Sequence, residues 1–70
     1  MKYVVVIERG KSNFSAYVPD LPGCVAAADT VEALERLMQE AIEFHIAGLR
    51  KDGADVPSSS STALEIEVSL

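Results

Sequence analysis

Residues 31–52 read VEALERLMQEAIEFHIAGLRKD, and the spacing of their apolar positions decides the fold. Val31, Leu34, Leu37, Met38, Ala41, Ile42, His45 and Leu49 recur at steps of three and four. That is the period of a single helical stripe, so the stretch predicts an amphipathic α-helix with one face on a core. Glu32, Glu35, Arg36, Gln39, Glu40 and Glu43 fill the other side and predict a solvated face. Asp29 or Thr30 can cap the start, and Asp29 with Glu32 has capping-box spacing. Arg50 and Lys51 fall in the last turn, where cations complement the helix dipole, and Gly53 is suited to the residue after the cap.

The stretches on either side predict the sheet that covers this stripe. Lys2 to Glu8 is β-branched and aromatic, with Tyr3, Val5 and Ile7 on one face and Val4 and Val6 on the other. Apolar on both sides, it predicts a strand inside the sheet. Arg9-Gly10-Lys11-Ser12 is a turn, after which Phe14 to Val18 alternates as the second strand of a hairpin. Phe14, Ala16 and Val18 share its core side, with Ser15 and Tyr17 opposite. Pro19, Pro22 and Gly23 interrupt the ladder, and Cys24 to Ala28 forms a short third strand of small side chains. After the helix, Pro57 to Ser61 reads as a flexible connection. Leu64, Ile66, Val68 and Leu70 then alternate strictly with Glu65, Glu67 and Ser69, which predicts an edge strand with one wet face. The expected fold is one α+β domain over residues 1–70 with the order βββαβ.

The composition bounds the function. The 70 residues carry six Lys and Arg against eleven Asp and Glu, a net charge of −5. Nucleic-acid binding rests on Lys and Arg neutralising phosphates, so direct binding of DNA or RNA is not expected and a basic partner fits better. One cysteine and one histidine supply neither a disulfide nor the four ligands of a structural zinc site, and no cofactor is expected. The Val4–Ile7 run ends at Glu8, far short of a membrane span or signal-peptide core. A single unpaired thiol suits a reducing, cytoplasmic setting. A domain this small has a thin core and commonly needs a staple; with disulfide and metal unavailable, self-association into a dimer or tetramer is expected.

Several segments together resemble a known family. Tyr3-Val4-Val5-Val6-Ile7-Glu8 leads to Ala16-Tyr17-Val18-Pro19-Asp20-Leu21-Pro22-Gly23-Cys24. Asp29-Thr30 precedes the helix, and Glu40-Ala41-Ile42-Glu43-Phe44-His45 leads to Gly48-Leu49, Asp52-Gly53 and Pro57. Over about residues 3–57 this resembles the HicB-like antitoxins, the neutralising half of HicA–HicB toxin–antitoxin pairs. The resemblance implies a degenerate ribonuclease-H-like fold that has lost catalysis. It also implies a partner: a small basic HicA-like toxin with a double-stranded-RNA-binding-like fold that cleaves mRNA using a histidine. Members of the family often carry a C-terminal DNA-binding segment, and the chain, ending at Leu70, matches the short form without one. Ala33 stands where the family usually has a second acidic residue.

No residue pattern along the chain predicts a catalytic centre. Ribonuclease-H-type cleavage needs three or four carboxylates converging on two metal ions. Glu8 lies at a strand end, Asp20 in a turn and Asp29 before the helix, and none sits in the middle of the Val4-Val5-Val6 strand. His45 reads as a core histidine with one backbone partner, and Cys24 as a small buried hydrophobe. The best candidate for partner binding is the stiff loop, with Tyr17, Asp20, Leu21 and Pro22: Pro and Asp hold an apolar Leu21 there, next to the outward Tyr17. The expected function is a non-enzymatic antitoxin that binds a small basic mRNA-cleaving toxin. The alternative is a stand-alone oligomeric binding or scaffold protein.

Overall fold

Three antiparallel strands and one helix follow one another along residues 1–70 of the computed structural model. They are β1 (Val6–Arg9), β2 (Phe14–Tyr17), β3 (Val25–Ala28) and α1 (Val31–Lys51), an α+β arrangement in the order βββα. The sheet order is β1-β2-β3, so β2 alone is paired on both sides.

Residues directly opposite in antiparallel strands share a face, and the register therefore sorts the side chains. Ile7, Ala16 and Ala26 form one cross-strand row, and Arg9, Phe14 and Ala28 another on the same side. These rows lie towards α1. Their alanines let the helix approach closely, and Leu34, Met38 and Ile46 descend into the space with Ala16, Val18, Leu21 and Cys24. Leu21 and Leu34 are wholly buried. Burying such a side chain contributes about 1.5–3 kcal/mol. At the turn end of the β1–β2 hairpin the Arg9 guanidinium lies 5.5 Å from the Phe14 ring centroid, within cation–π range.

The helix ends are closed locally. Thr30 is the N-cap: extended, its hydroxyl accepts from the Ala33 N–H at 3.1 Å. At the other end the Gly53 N–H donates to the Arg50 carbonyl and the Ala54 N–H to the Leu49 carbonyl. This is a Schellman motif, with Gly53 in the left-handed region at φ 71°.

The segment between β2 and β3 folds as two consecutive turns. The Leu21 N–H donates to the Val18 carbonyl and the Cys24 N–H to the Leu21 carbonyl, each at 3.1 Å. The Val18 N–H closes the loop onto the Cys24 carbonyl at 3.2 Å. In the second turn Pro22 takes the position whose φ a proline presets, and Gly23 at φ 85° takes the one that requires positive φ. Leu21, shared by both turns, is driven inward.

Three expectations are corrected. The first strand was expected inside the sheet but lies at its edge, because its outer side has no neighbour. The expected fourth strand at Leu64–Leu70 forms no ladder: residues 54–70 contain neither helix nor strand, and Leu64, Ile66 and Val68 stay exposed. The helical stripe is also narrower than its period implied. Ile46 is buried, whereas Val31 and Leu37 are 40% and 42% exposed. The reason is lateral position: α1 lies over β2 and β3, and no Cα of β1 comes within 8 Å of it.

Two substitutions test this loop. Leu21→Ala should destabilise the fold by about 2–5 kcal/mol, a large share of the stability of so small a domain. Gly23→Ala meets no atom within 4 Å, so it should cost only the left-handed penalty, about 1–2 kcal/mol. Urea unfolding followed by circular dichroism measures both, and a neutral Leu21→Ala would contradict the packing described.

Candidate protein-binding surface

The loop's four candidate residues separate into different roles. Tyr17 points away from the helix, as its place in the alternation predicts, and is 42% exposed. Pro22 is exposed on the second turn. Leu21 is wholly buried and Asp20 is engaged within the chain. The expectation of Leu21 as a surface contact is thus corrected. The prolines stiffen the loop as expected, but the paired turns aim Leu21 into the core.

Asp20 accepts four hydrogen bonds from two consecutive serines. The backbone N–H groups of Ser60 and Ser61 reach Oδ2 at 2.9 and 3.0 Å, and their hydroxyls reach Oδ1 at 3.0 and 2.8 Å. Donation to the charged form, foremost from the Ser61 N–H, holds this carboxyl down from 3.8 to about 2. The segment read as a free linker is therefore tethered. A second tether precedes it, where the Tyr3 hydroxyl donates to the Pro57 carbonyl at 2.6 Å.

The sheet face turned away from α1 carries the row Val6–Tyr17–Val25. Val25 is 64% exposed and nothing in the chain covers it. The row below is Glu8–Ser15–Ala27. The result is an aromatic flanked by two valines, with a polar margin, on a rigid sheet. Neither Val6 nor Val25 stood out in the sequence. Their signal was the hairpin register, which sets them beside Tyr17.

The remaining candidates are accounted for by position. Cys24 is buried, and burial raises its thiol. His45 is half-buried on α1, and the expected backbone partner is not among the chain's side-chain hydrogen bonds, which involve Tyr3, Asp20, Thr30, Ser60 and Ser61. No three His, Cys, Asp or Glu side chains are grouped so as to hold a metal ion. No helix is long and apolar enough to cross a membrane.

Comparisons with known proteins bear on the family and the fold. Residues 3–68 match the family described as HicB_like antitoxin of bacterial toxin-antitoxin system. A relative in Haemophilus phage HP1, an uncharacterized 14.9 kDa protein of the rep-hol intergenic region, is 38% identical over 60 residues. That match covers 86% of the chain but only 45% of the phage protein. A UPF0150 protein of Helicobacter pylori is 34% identical, with 93% of the chain and 92% of the relative covered. Among solved structures, a chain of the HicA3 and HicB3 toxin-antitoxin complex superposes with a TM-score of 0.74 at 30% identity, covering 86% of this chain and 70% of that one.

The Asp20 tether predicts a pH dependence. A carboxyl whose folded pKa is lowered contributes above its unfolded value, and the contribution is lost as pH falls through the folded value. The tether should be complete above pH 3.8 and released as pH approaches about 2. Amide shifts of Ser60 and Ser61 followed by NMR should titrate near the lower value, and Asp20→Asn should abolish that titration. A midpoint at 3.8 would show that the serines do not hold the carboxylate.

Proposed function

The chain belongs to the HicB-like antitoxin family, and we propose on that premise that it binds and neutralises a small basic RNA-cleaving toxin in the cytoplasm, without catalysis of its own. The observation that carries the reading is the outward Val6–Tyr17–Val25 row, with Tyr17 and Val25 exposed, on an acidic domain whose structural neighbour comes from a toxin–antitoxin complex. A toxin that grips RNA phosphates must be basic. A domain of net charge −5 meets that surface with complementary potential, which speeds encounter and selects the partner. Affinity then comes from an aromatic anchor ringed by polar groups.

In this reading Tyr17 is the anchor and Pro22 a rim contact. Leu21 works from beneath by fixing the loop, and Asp20 works by holding the tail. The βββα body corresponds in this reading to a degenerate ribonuclease-H-like fold.

Replacing the exposed Tyr17 and Val25 together with lysines should weaken toxin binding about 30-fold or more, the scale of a hot-spot loss. The melting temperature should hardly move, because both side chains are solvent-facing. Calorimetric titration against a toxin encoded beside this chain, together with rescue of toxin-arrested growth, gives the result. Unchanged affinity would remove this face as the contact. Failure of the wild-type chain to bind any such toxin would leave the scaffold reading in its place.

A further inference from the structure

Two unmet demands stand in the same chain. The outer edge of β1 has no neighbouring strand, and beside it a groove of about 730 Å³ runs between β1 and α1. Its walls are apolar, with Tyr3, Val5 and Ile7 from the β1 side and Val31, Met38 and Ile42 from the helix. The other unmet demand is residues 64–70, whose apolar side chains alternate as a strand's do. Leu64, Ile66 and Val68 are 79%, 73% and 67% exposed, and Leu70 wholly so.

We propose that Leu64–Leu70 of one chain docks as a fourth strand on the free edge of β1 of a second copy, and reciprocally, giving a strand-exchanged dimer. Leu64, Ile66, Val68 and Leu70 fill the groove, while Glu65, Glu67 and Ser69 face the other side. Glu35 and Glu43 on the helix wall fix the register. A slip of one residue would turn Glu65 and Glu67 into an apolar groove already rimmed by carboxylates.

The tether on Asp20 is what directs the strand outward. Ser60 and Ser61 are held on the turn that follows β2, inward of the free edge of β1, and only Thr62 and Ala63 separate them from Leu64. The tail leaves the body of the domain instead of turning back along it. The molecule extends 49 Å along its longest axis, and its radius of gyration is 13.8 Å, against about 11 Å for a compact domain of this length. Exchange of an identical element is a low-cost route to a dimer. Each exchange covers a strand of about 23 Å, and two of them bring the buried area towards the roughly 1,600 Å² of a stable interface. The inference does not depend on the toxin reading.

Light scattering on the full chain at micromolar concentration should give twice the 7.5 kDa chain mass. Ile66→Asp should raise the dimer dissociation constant about 100-fold or more, with helical circular dichroism retained because Ile66 contributes nothing to the core of the single chain. In dimers mixed from labelled and unlabelled chains, isotope-filtered NMR should show contacts from Ile66 and Val68 methyls to Tyr3 and Ile42 across chains. A monomer would overturn the proposal, as would an Ile66→Asp dimer of unchanged affinity. The same contacts found only within one chain would show docking on the chain's own edge. A wild-type monomer whose β1 edge becomes protected only on adding toxin would assign the groove to that partner instead.

Discussion

Leu21 is the residue on which the arrangement turns. It is the shared corner of two turns, Val18–Leu21 and Leu21–Cys24, and its side chain lies wholly in the core with Leu34 and Met38. Through it the end of β2, the start of β3 and the first half of α1 are fixed against one another. Only seven residues of the chain are buried, and Leu21 and Leu34 are the two that are wholly so. The same turns leave Asp20 at the corner to receive Ser60 and Ser61, and leave Tyr17 at the end of β2 facing out. One packing event therefore sets the core, the exit of the tail and the outward face.

The helix, its caps and the hairpin were legible in the sequence because each rests on local periodicity or turn chemistry. The 3.6-residue stripe, Gly10 and Gly53 need no tertiary knowledge. Tyr17 was read correctly as outward for the same reason, since alternation along β2 is local. Leu21 was misread because a loop that contains two prolines resembles a rigid exposed platform. Only the hydrogen bonds of the paired turns show that its corner points inward. Val6 and Val25 depend on cross-strand register, and the tether of Ser60 and Ser61 to Asp20 joins residues forty apart. Neither leaves a mark in local spacing. The period of the helix likewise could not reveal that α1 lies over β2 and β3, which is why Ile46 is buried and Leu37 is not.

The sheet has two open aspects, and they ask for different occupants. Its β1 edge and groove are mostly apolar and long enough for a strand, and a segment of matching alternation, Leu64–Leu70, exists in the chain itself. Its outer face offers a smaller apolar row with a polar margin, the character of a surface that exchanges between free and bound states. Self-association at the edge leaves the outer face free for a partner. A small domain with a thin core would thus gain stability from its own copy and specificity from another protein.

The claim that toxin capture uses the outer face is tested most directly by mapping amide and side-chain shifts of the isotope-labelled chain as the cognate toxin is added. The account predicts the largest changes at Val6, Tyr17, Val25 and the adjoining Pro22 turn, with the exposed face of α1 unmoved. Changes confined to the acidic face of α1, around Glu32, Glu40 and Glu43, would contradict it.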